Sequence, residues 1–190
     1  MTEQSIRNHV FSHIAGFWPG SSVTKERWSR GPIEEGAPEL EILTVNPPGA
    51  TSFIYSTSGC FAIWPEEHIR HEFFMVSPVK HSANTETLTM AAHFHADQRY
   101  RLDLGKVVDI GRTWLEGSSC DHLLVSLPYP YGPKLEWLRL PNKVCIRFLW
   151  LLPITAREAA FAELHGVESL ESKFDSARLD YLNLKRPSVV

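Results

Sequence analysis

The sequence predicts an α+β fold: a single-domain α/β sandwich whose mixed or mostly antiparallel sheet is flanked by N-terminal and C-terminal helices. Three observations lead to this prediction. A helical apolar stripe opens the chain, short strand-like segments fill its middle, and a helix-capping motif lies near its end. Strands and helices that are segregated along the chain in this way are typical of α+β domains.

The N-terminal helix is predicted over residues 3–17, within an N-terminal segment that spans residues 1–20. Four apolar residues recur every three or four positions: Ile6, Val10, Ile14 and Phe17. This spacing places them on one face of a helix, and Pro19 ends it. The following residues, 21–38, are rich in glycine, proline and charge and contain Trp28, so we predict a long loop there.

The middle of the chain contains six predicted extended segments. They cover residues 40–45, 52–57, 70–76, 102–110, 122–127 and 143–151. Most combine β-branched and aromatic residues with turn residues at their ends. A helix through about Asp97, capped by Thr85, is predicted between the third and fourth segments, with Leu88, Ala91, Ala92 and His95 on one face. The last segment lacks alternation, so we expect it to be a central strand.

The C-terminal quarter has the clearest local signal. Thr155 and Glu158 form a capping box, in which each side chain accepts a hydrogen bond from a free backbone N–H group. Gly166 is placed to end this helix. A second helix follows over residues 167–174. The two helices are expected to bury Phe161, Leu164, Leu170 and Phe174 and to turn their charges to water.

Composition excludes several classes of function. The chain has 190 residues and a formal net charge of −3, which suits one domain over residues 1–190. Its basic residues form no stripe, which argues against a nucleic-acid partner. The longest apolar run, residues 148–152, is far shorter than the roughly 20 residues of a membrane span. Three widely spaced cysteines and a polar N-terminus favour a cytoplasmic protein.

Several stretches of the sequence resemble one known family. The strongest is FLWLLPIT at residues 148–155 followed by Ala156-Arg157-Glu158, and HGVESL at 165–170 and RPSVV at 186–190 are similar too. Upstream, Thr57-Ser58-Gly59 and Glu72-Phe73-Phe74-Met75 are weaker matches, as is EILTV at 41–45. Over about residues 30–190, the chain resembles the bacterial form of the suppressor of fused (SUFU) domain family.

The resemblance implies a protein-binding module. The family has no established catalytic residues. Its animal members sequester a transcription factor of the Hedgehog pathway, and its bacterial members include immunity proteins that neutralise toxins. The resemblance implies the fold and the mode of action, but it does not transfer the transcription-factor partner, because the animal proteins continue into a second domain.

Histidines are the most plausible alternative chemistry. His93 and His95 form an H-x-H pair near Asp97, and His68 and His71 form an H-x-x-H pair near Glu67. Zinc sites use such ligands. However, residues two apart on a helix point about 200° apart, so His93 and His95 cannot chelate one ion together. We therefore predict no metal, no cofactor and no catalytic residue.

Cysteine catalysis is the other alternative. Cys120 is followed by Asp121 and His122, but catalytic partners usually meet in space and not as sequence neighbours. Cys145 lies in the most apolar segment and Cys60 at a strand end, so both are interpreted as structural. The acidic pairs Glu34-Glu35 and Glu66-Glu67 are interpreted as solvated loop charges. No phosphate-binding loop or nucleophile elbow is present.

Aromatic and acidic residues suggest how a partner protein is bound. The chain has six tryptophans, and five of them are candidates together with the tyrosines of a proline-rich turn: Trp28, Trp64, Trp114, Trp137, Trp150, Tyr129 and Tyr131. Trp150 is assigned to the core and the others to polar or loop-like surroundings. We predict that Trp28, Tyr131, Glu168 and Glu171 contact a partner, because aromatic anchors supply affinity and an acidic surface steers a basic protein such as a toxin.

The sequence therefore favours a non-enzymatic protein-binding module, with immunity against a toxin as the leading role. Two alternatives remain open at this point: a small metal- or cysteine-dependent hydrolase, and a bacterial regulatory scaffold.

Overall fold

The computed structural model describes residues 1–28, 37, 39–141 and 143–190. The central part of the predicted loop at residues 21–38, including the acidic pair Glu34-Glu35, lies outside the described residues.

Eight strands and five α-helices are assigned in the described residues. In chain order they are α1 (Glu3–Phe17), β1 (Ser22–Glu26), β2 (Glu41–Asn46), β3 (Phe53–Ser58), β4 (Ile69–Ser77), α2 (Ser82–Ala96), β5 (Val107–Asp109), β6 (His122–Ser126), α3 (Pro133–Glu136), β7 (Trp137–Arg139), β8 (Cys145–Ile154), α4 (Ala156–His165) and α5 (Val167–Ala177). None of these helices has the length and apolar character that a membrane span requires.

Two compact units divide the chain. Unit 1 contains residues 1–102 and 127–150, and unit 2 contains residues 103–126 and 151–190. The boundary falls within β8, the most apolar strand, which supplies its first six residues to unit 1 and the rest to unit 2.

The sheet of unit 1 is mixed. Strands β1 to β4 follow one another as antiparallel neighbours, with Ser22 opposite Asn46 at one end of the first pair. Strand β8 then lies parallel to β4, and β7 pairs antiparallel with β8. β4 and β8 are buried along most of their length, which agrees with the lack of alternation in their sequences because both faces of a central strand are covered.

Two helices of unit 1 bury the faces that their sequences predict. α1 has the predicted bounds, and Ile6, Val10 and Ile14 are buried. Thr2 caps it by accepting a hydrogen bond from the Ser5 N–H group. α2 buries the predicted face, which is formed by Leu88, Ala91, Ala92 and His95.

Unit 2 combines two short strands with two helices. β5 pairs antiparallel with β6, and the Asp121 N–H group, just before β6, donates to the Ile154 carbonyl at the end of β8. α5 buries Leu170 and Phe174, which share one of its faces.

The structure confirms the predicted α+β class, since the chain combines a mixed sheet with helices at both of its ends. Three local predictions are wrong. Residues 22–26 form β1 within the predicted loop. His81 and not Thr85 caps α2, because its side chain accepts from the Ala83 N–H group. Leu164 is 78% exposed. The single domain stays a prediction.

Candidate functional site

The two histidine pairs of the sequence are split between solvent and interior. His93 is exposed and His95 buried on α2, as the helical geometry requires. His68 is exposed just before β4, and His71 is buried within it. In the part of the chain that the structure describes, no three His, Cys, Asp or Glu side chains are placed to share a metal ion.

His71 and His95 instead meet each other in unit 1. Their ring centroids are 5.6 Å apart, a contact that the two sequence pairs did not predict. The Leu102 N–H group donates to His95 Nδ1 at 3.3 Å. Burial, followed by the neighbouring His71 and Arg101, lowers the pKa of His95 to about 3. His95 is therefore neutral at physiological pH and acts as a packed hydrogen-bond acceptor.

Glu67 is a partly exposed loop residue, but it also forms an ion pair beside these histidines that the sequence did not predict. Arg101 Nη2 lies 2.7 Å from Glu67 Oε2, and this hydrogen bond lowers the pKa of Glu67. The Arg101 guanidinium also lies 5.5 Å from the centre of the Trp64 ring. Trp64 Nε1 in turn donates to the carbonyl of His95. These groups hold α2 and the segment after it in place.

Cys60 and Cys120 do not have the environment of nucleophiles, whereas Cys145 is partly exposed on β8. Cys60 and Cys120 are buried, and burial raises the pKa of both thiols, with Glu72 adding to the effect at Cys60. A nucleophilic cysteine needs a stabilised thiolate. His122 Nδ1 lies 2.8 Å from Asp121 Oδ1, so the imidazole contacts the carboxylate of the preceding residue.

The first family-like motifs meet around the buried carboxyl group of Glu72, which we call the Glu72 network. The Thr57 hydroxyl donates to Glu72 Oε2. Backbone N–H groups of Gly59 and Phe61 donate to Oε1 at 2.8 and 3.3 Å. The Thr57-Ser58-Gly59 strand end and the Glu72-led strand are thus joined by hydrogen bonds within unit 1.

Arg7 of α1 completes the Glu72 network. Its Nη1 donates to the Ser58 carbonyl at 2.7 Å, and it is only 7% exposed. Gly59 is required beside it, because φ is +139° and an added Cβ would lie 2.7 Å from Arg7 Nη1. Burial raises the pKa of Glu72, although its hydrogen bonds and Arg7 act in the opposite direction.

The C-terminal motif is built around a second buried carboxyl group, Glu158, in what we call the Glu158 network. The predicted capping box is confirmed: Thr155 Oγ1 accepts from the Glu158 N–H group, and Glu158 Oε2 accepts from the Thr155 N–H group at 2.9 Å. Arg186 adds a bidentate pair, with Nη1–Oε1 and Nη2–Oε2 distances of 2.6 and 2.8 Å. The Val189 N–H group also donates to Oε1.

Glu158 is fully buried, so the prediction that it faces water is wrong. Burial disfavours its charge, but the hydrogen bonds from Arg186 and from the Thr155 and Val189 backbone outweigh this effect and lower its pKa. Arg186 also donates to the Pro153 carbonyl at 3.1 Å. The PIT and RPSVV stretches of the sequence are thus linked through one ion pair in unit 2.

The aromatic residues divide between core and surface. Trp150 is buried as predicted, but Trp114 is only 1% exposed and is a core residue rather than a surface anchor. Trp28 and Tyr131 are partly exposed. The Tyr131 ring lies 6.0 Å from Phe17 and 5.6 Å from Trp18, and the sequence predicted neither contact.

An acidic stripe lies on α5. Glu168, Glu171 and Asp175 are spaced three and four residues apart, so they share one helix face. Glu168 and Asp175 are exposed, whereas Glu171 is partly buried and accepts a hydrogen bond from Ser126 at 2.7 Å. Leu170 and Phe174 form the buried face of the same helix. The predicted acidic surface is therefore narrower than the sequence indicated, and Glu158 is not part of it.

Unit 2 also contains an open recess of about 560 Å³. Alanines of α4, including Ala156 and Ala160, line it together with Val107, and its polar lining includes Asp109 and His122. Lys106 and Glu163 also line it, so the recess combines small apolar walls with charged side chains of both signs.

Comparison with known proteins agrees with these motifs. The family model described as Suppressor of fused protein (SUFU) matches residues 36–187. Immunity protein YqcF of Bacillus subtilis (strain 168) is 35% identical over 69 residues, which are 36% of this chain and 35% of YqcF. The match thus spans about a third of that curated relative.

Solved structures share the fold. A suppressor of fused homologue from Neisseria gonorrhoeae FA 1090 has 39% sequence identity and a TM-score of 0.85, with 98% of each chain covered. At 14% identity, Drosophila Suppressor of Fused has a TM-score of 0.69 over 95% of this chain and 50% of its own. A chain of the Sufu–Fu complex, also 14% identical, gives 0.61 over 98% and 91%. Because the family model covers most of the sequence, this chain belongs to the suppressor of fused family.

Proposed function

We propose that this chain is a non-enzymatic protein-binding module that acts as an immunity protein by occupying a basic toxin in the cytoplasm. Family membership and the partial similarity to YqcF support this proposal. The observation that carries it is that the carboxyl groups of both family-like motifs are bonded within their own network and shielded from solvent.

A catalytic acid or base must exchange a proton with a substrate. Glu158 accepts four hydrogen bonds, from both Arg186 nitrogens and from the Thr155 and Val189 N–H groups, which fills the roughly four acceptor sites of a carboxylate. Glu72 is also fully buried. Glu72 and Glu158 therefore stabilise the fold, and we expect partner binding to use surface residues.

The hydrolase alternative has less support. Cys60 and Cys120 are buried thiols with raised pKa values, and the described residues contain no three-ligand group for a metal ion. The scaffold alternative differs from immunity only in the identity of the partner, because both require a protein-binding surface.

The acidic stripe and the partly exposed rings Trp28 and Tyr131 are the proposed contact residues. Exposed Glu168 and Asp175 are available to a basic partner, and Glu171 lies between them on the same face. Opposite charges steer association and raise its rate at low ionic strength. Aromatic rings add affinity by burial, which slows dissociation.

Affinity capture from the native organism tests the proposal. The immobilised protein should retain one positively charged protein in stoichiometric amount, identified by mass spectrometry. A Glu168→Lys/Asp175→Lys variant should associate with it more slowly in low salt, on the order of ten-fold, and the difference should shrink near 0.5 M salt as charges are screened. Lys173→Glu, on the same helix, is the matched control and should accelerate association.

The identity of the captured protein separates the roles. A nuclease or other toxin whose activity falls on binding supports immunity, whereas an endogenous factor supports the scaffold role. If the wild-type protein captures nothing in low salt, or if both charge variants associate at the wild-type rate, the proposed surface is wrong.

A further inference from the structure

The end of α1 and the proline-rich turn of unit 1 bring three aromatic rings together at the surface. The rings are those of Phe17, Trp18 and Tyr131, which we call the ring cluster. Their centroids lie 4.7, 5.6 and 6.0 Å apart, with interplanar angles of 69–81°. All three side chains are partly exposed, so solvent reaches part of each ring.

Tyr131 connects the ring cluster to buried aromatic residues and to a closed turn. Tyr131 lies 6.0 Å from the buried Phe74 ring, which stacks on Trp150 at 6.2 Å and 11°. The turn that carries Tyr131 is closed by two N–H groups, those of Tyr131 and Gly132, which both donate to the Pro128 carbonyl at 2.8 Å. A preorganised aromatic surface loses little conformational entropy when it binds a partner.

Two sources of negative potential meet at this surface. The faces of aromatic rings carry the negative part of the ring quadrupole, which attracts ammonium and guanidinium groups. Trp18 is also the C-cap of α1, a 15-residue helix with no basic residue in its last turn. The C-terminal end of a helix carries about half a negative charge on its free carbonyl groups, and no residue of that turn neutralises it.

From this charge complementarity we propose that the ring cluster is a docking site for arginine and lysine side chains of a basic protein partner. The chain already contains this type of contact: the Arg147 guanidinium lies 5.0 Å from the Trp137 ring centre and Arg99 lies 5.4 Å from Tyr100. The inference deepens the proposed function and rests on its basic partner, to which it adds a second contact region besides the acidic stripe.

The test uses two defined peptides and therefore needs no identified partner. Acetylated, amidated tetra-arginine is titrated into ¹⁵N-labelled protein, and the matched tetra-citrulline peptide removes the charge while it keeps the shape. The indole N–H signal of Trp18, assigned from its loss in Trp18→Leu, should shift with tetra-arginine and not with tetra-citrulline.

Three variants sharpen the result, with affinity measured by competition against a labelled tetra-arginine peptide. Trp18→Leu and Tyr131→Leu should each weaken binding about two- to five-fold, as expected for one exposed cation–π contact. Tyr100→Leu is the control, because Tyr100 is 56% exposed but already lies beside Arg99. It should bind as the wild type does.

An unshifted Trp18 signal with tetra-arginine, or equal shifts with both peptides, would overturn the assignment. So would a captured partner that binds Trp18→Leu as tightly as wild type, and that result would leave the proposed function standing. Failure of the wild-type protein to capture any partner would contradict the proposed function. The peptide titration would still test, by itself, whether the ring cluster binds cationic side chains.

Discussion

The Glu72 network of unit 1 and the Glu158 network of unit 2 use a buried glutamate in two different ways. Glu72 is held by a hydroxyl and two backbone N–H groups, and its pKa is raised. Glu158 is held by a bidentate guanidinium and two backbone N–H groups, and its pKa is lowered. The partners of the carboxyl group therefore decide the direction in which folding shifts its pKa.

This difference bears on how family-like motifs are interpreted. A raised carboxyl pKa is often a sign of an active site, but Glu72 is sealed from solvent and joins a strand end to a neighbouring strand. Glu158 joins the start of a helix to the C-terminal segment. Both motif residues organise backbone, and neither is in a position to meet a substrate.

The largest expected effect is at Glu158. Arg186→Ala leaves a buried carboxylate without its cation and should lower the free energy of unfolding by about 3–5 kcal/mol, as for other broken buried ion pairs. Glu158→Gln should have a similar cost, because Arg186 then keeps its charge without a partner. Urea unfolding followed by fluorescence measures both. Arg178→Ala, at an exposed position, is the control and should change stability little. If Arg186→Ala changed stability as little as Arg178→Ala, the buried ion pair would be disproved.

The second-largest expected effect is a loss of folding stability at low pH that arises from His95. Its pKa falls from 6.5 to about 3 on folding, so the unfolded chain binds the proton more readily. Stability is fully present above pH 6.5 and should fall by about 1.4 kcal/mol per pH unit below about pH 6. His95→Asn, which keeps an acceptor for Leu102, should lose this slope. An unchanged slope between pH 6 and 5 would refute the assignment.

Within the Glu158 network, the capping hydroxyl should have a moderate effect. Thr155→Ala removes the acceptor for the Glu158 N–H group and should cost about 1 kcal/mol, which lowers the melting temperature by a few degrees. Thr155→Ser keeps the hydroxyl and is the matched control. If Thr155→Ala left stability intact and abolished partner binding, the structural role of the capping box would be wrong.

The smallest effect is expected for Glu72→Gln. Glu72→Gln keeps an oxygen acceptor for the Gly59 and Phe61 N–H groups and removes the burial cost of a charge, so the free energy of unfolding should fall by only about 1 kcal/mol, less than for Glu158→Gln. The raised pKa also fixes the sign of the pH dependence. Because folding raises this pKa, the stability of the wild type should decrease as pH rises above the ordinary pKa of a glutamate. The free energy of unfolding of Glu72→Gln, relative to that of the wild type, should therefore increase with rising pH. A cost as large as that of Glu158→Gln would abolish the contrast between the two networks.

Local signals in the sequence were sufficient for some elements. The apolar spacing of α1 and the capping box of α4 each depend on residues within one or two helical turns, and both were predicted correctly. β1 was missed because its five residues, SVTKE, are short, polar and partly exposed. The His81 cap was missed because histidine is a rare N-cap.

Contacts between residues that are far apart in the chain could not be predicted from the sequence. Arg186 lies 28 residues after Glu158, so nothing local indicated that the Glu158 side of α4 would face inward. That orientation turns Leu164 to solvent. Likewise Phe17 and Trp18 reach Tyr131 only through the tertiary fold of unit 1, and His71 reaches His95 between β4 and α2. The ring cluster and the histidine contact therefore required the structure.

One measurement tests the central claim most directly, namely that the buried glutamates serve the fold and the surface serves binding. It is the dissociation constant of the captured partner for the wild type, for Glu72→Gln and for Glu168→Lys/Asp175→Lys, by calorimetry at low salt. We predict that Glu72→Gln binds within two-fold of wild type and that the charge reversal weakens binding about ten-fold. A stable Glu72→Gln protein that no longer binds, together with a charge reversal that binds normally, would contradict the account.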